Sequence, residues 1–250
     1  MNIQPFSDRK PVRIYFTNMP HWRQEGCTYF VTYRMADSIP ERVLAQWERE
    51  KTHWLSLHGI EVEKWPEGFV QLAPEKQREF LKHFNRKLNW YLDEGHGSCV
   101  LRAAACQQIL LDGWKHFDGV RYQLGDLVVM PNHVHLLLTP LPGNELEEIM
   151  QSRKRHSARE LNLFLNRSGD FWQKHSYDHI VRDEVEVRAF QKYISENPTK
   201  AGLKPSESLH RSFDWQWILI GQSLFTILPS SSILLTIVLP LVFGIVLIME

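Results

Sequence analysis

Cysteine is scarce: Cys27, Cys99 and Cys106 are the only three in 250 residues. They are odd in number and lack metal-ligand spacing, so a disulfide framework is not expected and a reducing, cytoplasmic compartment is the natural reading. A charge of one sign is lacking as well. Lys plus Arg and Asp plus Glu both total 29, so net charge names no nucleic-acid partner and only local charge can. The opening MNIQPFSDRKPVR has no apolar run of the secretory kind. No internal repeat is visible. Charge also disappears from Trp215 to Met249, and 233–249 is almost wholly apolar. As a helix that stretch would measure about 25 Å, near the lower limit for crossing a bilayer, but Pro240 interrupts it. Three readings of this tail stand side by side: a membrane segment at 233–249, a buried terminal segment, and a tail altered by a reading-frame change.

The aromatic and β-branched run TYFVTYRM at 28–35 reads as a strand. Residues 40–97 read as a helical insertion, with stretches Glu41–His58 and Pro74–Asp93 carrying Trp47, Trp54 and Trp90, and with Trp65 between them. It closes on the glycines of EGHGS. Residues 99–116 carry apolar residues at helical spacing. Tyr122–Met130 and His133–Thr139 are strands joined by Pro131-Asn132. A helix follows at 145–165, broken near Ser157, then a short strand at Asp178–Arg182. A last helix, Glu184–Glu196, is expected to stop at Asn197-Pro198, because the residue before proline avoids the α region. The order strand, helix, strand, strand, helix, strand, helix predicts an α+β fold. Its first six elements make a ferredoxin-like split βαβ sheet with helices on one face, to which the tyrosine-bearing last helix is added.

On a strand, residues two apart share a face. In MPNHVHLLLTP, His133 and His135 therefore project together and Val134 points the other way into apolar packing. Two imidazoles on one face can ligate a metal, and they can equally be two ordinary strand histidines. In QKYISENPTKAGL, Tyr193 and Asn197 stand four apart, on one face of a helix. The Asn197 amide oxygen suits a hard cation as a third ligand, and Tyr193 is a nucleophile candidate beside it. The bland alternatives are a packing tyrosine and a helix stop. Residues 151–204 hold eleven Lys or Arg against seven Asp or Glu. Phosphate contacts are expected from Arg153, Lys154, Arg155, Arg159, Arg182 and Lys200, and base stacking from Trp172. A solvated helix face and a core tryptophan are the competing readings.

The three blocks VMPNHVHLLL, WQKHSYDHIVRD at 172–183 and YISENPTKAGL at 193–203 resemble, in this order, the REP-associated tyrosine transposases, part of the wider HUH single-tyrosine transposases and relaxases. LRAAACQQILLDGWKHFDGVRYQL resembles that family's first helix and second strand. The resemblance covers about 10–205, taken as one catalytic domain with the 40–97 insertion, and leaves 206–250 as an atypical hydrophobic tail. It implies a divalent metal, Mg2+ or Mn2+, held by His133 and His135, with Asn197 where many relatives carry Gln, and Tyr193 as nucleophile. It further implies single-stranded or hairpin DNA as partner and a 5′-phosphotyrosine intermediate; a homodimer and a bacterial cytoplasmic location near the nucleoid are separate expectations, with the oligomeric state left open. Membrane contact through the tail is the remaining partner expectation. Three rival functions stand beside it, one of them a membrane-anchored protein defined by its tail. A histidine-based nucleotide hydrolase or transferase would want a third partner at 137, which is Leu137. A nucleic-acid-binding module without catalysis need not keep Tyr193, both histidines and Asn197 together.

Overall fold

The computed structural model describes residues 2–3, 5–7, 9–17, 19–212 and 216–217. The expected membrane segment at 233–249 lies outside them. Among the described residues no helix is long and apolar enough to cross a membrane.

An antiparallel hairpin opens the domain: β1 (Arg13–Phe16) pairs with β2 (Pro20–Arg23). The main sheet is built from β3 (Tyr29–Arg34), β4 (Tyr122–Val129), β5 (His133–Pro140), β6 (Tyr177–Ile180) and β7 (Leu209–Arg211). Its order is β6-β3-β5-β4-β7, and every neighbouring pair is antiparallel. The first four places carry the fourth, first, third and second strands of a split βαβ unit, the ferredoxin-like arrangement. The sheet gains β7 from beyond the boundary expected at 205. That strand is three residues long with a weak pattern, LHR, and only its partner β4 reveals it.

The helices are α1 (Glu41–Leu57), α2 (Trp65–Gln71), α3 (Pro74–Asp93), α4 (Ala104–Lys115), α5 (Leu146–Phe164) and α6 (Glu184–Lys200). The first three form the insertion, stapled by aromatic contacts such as Trp54 on Phe80 at 4.9 Å and Phe69 on Phe80 at 5.2 Å. Helix α5 runs through Ser157 without a break; the Ser157 hydroxyl donates to the Arg153 carbonyl at 2.8 Å, which satisfies it within the helix.

Strand β5 is buried on both faces, and its two faces part company residue by residue. Val134, Leu136 and Leu138 enter a core with Leu110 and Trp114 of α4 and Ile149 and Leu161 of α5. Leu137 enters a second core on the opposite face with Phe190, Tyr193 and Ile194 of α6. Helices α4 and α5 thus cover one side, as the split βαβ pattern requires, and α6 covers the other. The histidines, in step with Leu137, face α6.

Helix α6 does not stop at Glu196. It runs through Asn197 and Pro198 to Lys200. Proline removes one backbone donor, but the turn around it is kept: Ala201 N–H donates to Asn197 O at 3.0 Å and Leu203 N–H to Pro198 O at 2.9 Å. Asn197 therefore stays on the helix, in line with Tyr193. Truncating the central core residue Leu136, which is fully buried, is expected to cost about 2–5 kcal/mol on cavity grounds. Urea denaturation of Leu136→Ala with an unchanged m value checks this, and a loss below about 1 kcal/mol would contradict the two-faced packing.

Candidate active site

Three elements converge. Register places Thr32 opposite His135, Arg34 opposite His133 and Phe30 opposite Leu137, all on the α6 face. His135 Nδ1 meets Thr32 Oγ1 at 2.7 Å, and His133 Nδ1 meets the side-chain oxygen of Asn132 at 2.7 Å. Asn132 is itself fixed, its amide donating to His96 O at 2.9 Å. With both Nδ1 atoms engaged, both Nε2 atoms turn to each other, 2.9 Å apart. Phe30 stacks on His135 with ring centroids 5.5 Å apart and meets Tyr193 edge-on at 5.8 Å.

Helix α6 is pinned at three points. Asp183 caps it by accepting from Glu186 N–H at 2.8 Å. Glu186 ties it to β6 through His179 at 2.7 Å, and Gln191 donates to Asp126 of β4 at 2.8 Å. The result sets the Tyr193 hydroxyl 3.4 Å from His135 Nε2. Asn197, one turn on, is almost completely buried, yet neither atom of its amide meets hydrogen-bond geometry. It lies close enough to Asp93 and Tyr193 to lower both of their pKa values.

The sequence reading missed Asp93. This residue ends α3 inside the insertion, where no motif marks it. Its Oδ1 lies 3.9 Å from His133 Nε2. One ligand atom each from Asp93, His133 and His135 falls within 4.8 Å of the others. Burial pushes the Asp93 carboxyl up to about 6, against the pull of Asn197 and Lys200. Burial draws His133 down to about 3. It also draws His135 well below the usual imidazole range, with neighbouring His133 adding to the effect. The Tyr193 phenol is raised by burial first and by the Asp93 carboxylate second.

These donors fit a divalent cation. Both imidazoles are held neutral, as ligation needs. Two cis ligands with bonds of about 2.1 Å stand about 3 Å apart, close to the observed separation of the two Nε2 atoms. The proton shared between them is displaceable, because Thr32 can accept from Nδ1 as readily as donate to it. The unpartnered Asn197 amide offers an oxygen nearby.

The expected DNA contacts do not gather as closely. Two are buried. Arg153 donates to Gly113 O at 2.8 Å and lies 4.5 Å over the Phe117 ring, so it clamps α5 to α4. Trp172 donates to Ser157 Oγ at 3.0 Å and packs edge-on against Tyr33 at 4.7 Å, in keeping with a core tryptophan. Lys154 is largely turned inward and holds the carbonyls of Gln173 and Lys174. Arg155 and Arg159 are exposed on α5, whose inner face packs on the side of the sheet away from α6. Arg182 is half-buried at the start of α6. Lys200 is exposed at the end of α6, beside Glu196 at 3.4 Å.

Residues 114–197 match the model of the family described as "Transposase IS200 like". No curated protein matches the chain. Among solved structures, the chain is similar to a REP-associated tyrosine transposase bound to a REP hairpin, at 13% identity, with 76% of each chain covered and a TM-score of 0.41. It is also similar to a candidate transposase of Deinococcus radiodurans R1, at 14% identity, with 68% of this chain and 89% of that one covered and a TM-score of 0.26.

The buried imidazoles have a stability consequence. Their folded pKa values lie below the unfolded value of about 6.5, so unfolding takes up protons. Their contribution is full above that value and is lost as pH falls toward about 3, the His133 value. Asp93 works oppositely between about 4 and its folded value of about 6 and offsets one of the two. Metal-stripped protein is therefore expected to melt at lower temperature at pH 5 than at pH 7, and His133→Leu/His135→Leu should flatten that dependence. An equal slope in parent and variant would show that these rings are not the titrating groups.

Proposed function

We propose, taking residues 114–197 as a segment of the IS200-like transposases, that this chain is a metal-dependent transposase of the HUH type. It cuts and rejoins single-stranded DNA beside a hairpin, with Tyr193 as nucleophile. The observation that carries this is the placement of the phenol oxygen 3.4 Å from His135 Nε2, beside a second buried imidazole with which His135 shares a contact.

Tyr193 Oη attacks the scissile phosphorus, the phosphorus–O3′ bond breaks, and a 5′-phosphotyrosine and a free 3′-hydroxyl result. The phenol proton is balanced by the proton gained at the leaving 3′ oxygen. Since one phosphodiester is exchanged for another, a later 3′-hydroxyl can reverse the step and join strands without ATP. His133, His135 and Asn197 would hold the cation, Mg2+ or Mn2+. When bound, it supplies Lewis-acid polarisation of the phosphate and favours the phenolate that burial alone opposes. Phe30 and Phe190 stack at 4.3 Å and fix the wall against which Tyr193 rests. This limits the motion of the nucleophile and keeps water from one side. A phenol on a helix packed to a sheet cannot follow the backbone of a stacked duplex, and this favours an unpaired strand. Arg155, Arg159, Arg182 and Lys200 are the side chains offered to phosphates. Arg153 and Trp172, both buried, are not among them. The histidine-based hydrolase reading loses support, because Leu137 is fully buried in the α6 core and offers no third polar group.

Tyr193→Phe is expected to abolish covalent DNA attachment and leave DNA affinity within about threefold. Denaturing gels with a labelled hairpin carrying a single-stranded flank, alongside binding titrations, check both, and a persistent adduct removes Tyr193 from the role. His133→Ala and His135→Ala are expected to lower cleavage by at least about a hundredfold, and EDTA should do the same to the parent. Undiminished cleavage in excess chelator would remove the metal from the reaction.

A further inference from the structure

The insertion at 40–97 has no part in the reaction as set out so far, but its last helix delivers a carboxylate to the histidine pair. Asp93 Oδ1 is buried and without a hydrogen-bond partner, 3.9 Å from His133 Nε2. The Asn197 amide, almost wholly buried, makes no well-formed hydrogen bond either and lies against the Asp93 carboxyl and the Tyr193 phenol. Buried polar atoms are nearly always satisfied, so a carboxylate and an amide left with only this loose mutual contact beside two imidazoles suit a further partner such as a cation.

A second observation points the same way. Asp93 is the final residue of a 20-residue helix whose last turn holds no basic side chain. A carboxylate at a helix C-terminus faces the negative end of the macrodipole, which is the unfavourable end. The nearby Lys200 is drawn to Glu196. An acid so placed is relieved by a cation arriving from the histidine side, and the helix carbonyls add to its attraction.

Resting on the reading that His133 and His135 hold a cation, we propose that Asp93 is a further ligand, so that the helical insertion supplies one corner of the metal centre and gives it a preference for Mn2+ over Mg2+. The preference follows from the donor set. Two imidazole nitrogens with one carboxylate suit first-row transition ions, whereas Mg2+ favours an all-oxygen shell with several waters. The insertion is positioned to do this reproducibly. Asn85 of α3 donates to the Tyr177 hydroxyl on β6 at 3.0 Å, and the chain just after α3 is tied to Asn132 through His96 O. Gly97 then passes so near Asp37 that a Cβ there would sit 2.6 Å from its carbonyl oxygen, at φ +88°. Any other residue there would force the chain just after α3 or the Asp37 backbone to shift.

The test is Mn2+ binding to the full, metal-stripped chain, read by the loss of the free-ion EPR signal and by Mg2+ competition. The parent, Asp93→Asn and His133→Ala are compared, with melting temperatures taken in EDTA. The expected result is one Mn2+ bound by the parent and displaced only by a large excess of Mg2+. Asp93→Asn should bind at least about tenfold more weakly, and His133→Ala should lose binding. Asp93→Asn should also melt no lower than the parent in EDTA, since it removes an acid from the wrong end of a helix. Parent-like Mn2+ affinity in Asp93→Asn, with binding lost in His133→Ala, overturns the role of Asp93 and leaves the histidine site standing. A lowered melting temperature in Asp93→Asn overturns it too, by making the carboxylate structural. A parent that binds neither ion overturns the metal reading itself.

Discussion

The contact between two neutral, fully buried imidazoles on one strand is the constraint from which the rest of the site follows. His133 and His135 are forced to share a face by the two-residue period of β5, and the sheet is covered on both sides, so water cannot serve them. Asn132 and Thr32 occupy both Nδ1 atoms and leave both Nε2 atoms aimed at a single point. Such an arrangement is costly if it only packs, because an apolar pair would fill the same volume without polar atoms to satisfy. Under the proposed function it is a place kept ready for a cation.

Helix α6 brings a phenol and an amide to that place. Its capping by Asp183, its link to β6 through Glu186 and its link to β4 through Gln191 fix rotation as well as position. The rotation turns Tyr193 toward His135 and leaves Asn197, one turn on, buried beside Asp93. Continuation of the helix through Pro198 is part of this. Had the chain left the helix at Asn197, the amide would have had no fixed direction.

How much of this was legible in the sequence depends on the range of the physics involved. The histidine pair and the Tyr193–Asn197 pair are short-range periodicities, of two and four residues, and both are found as read. Strand and helix order, and with it the ferredoxin-like sheet, followed from alternation and turn residues. The reading failed where tertiary contacts outweigh local preference. The expected stop at Asn197-Pro198 gives way to packing of α6 on the sheet. For Arg153 and Trp172 the sequence left nucleic-acid contact open beside a helix face and a core tryptophan, and only tertiary contacts place the first on Gly113 O and Phe117 and the second on Ser157 and Tyr33. Asp93 had no signal at all. It sits 40 residues before His133 at the end of an ordinary amphipathic helix, and only the fold brings it to the site.

The central claim is that one phenol oxygen beside this imidazole pair takes up the broken end of a DNA strand. The most direct measurement is mass spectrometry of the tryptic peptide covering residues 193–200, after incubation with a single-stranded hairpin substrate and Mn2+ and then nuclease digestion. The account predicts a nucleotide 5′-phosphate on Tyr193 in that peptide. A nucleotide found on a different side chain, or a cut strand with no nucleotide retained on the protein, would contradict it.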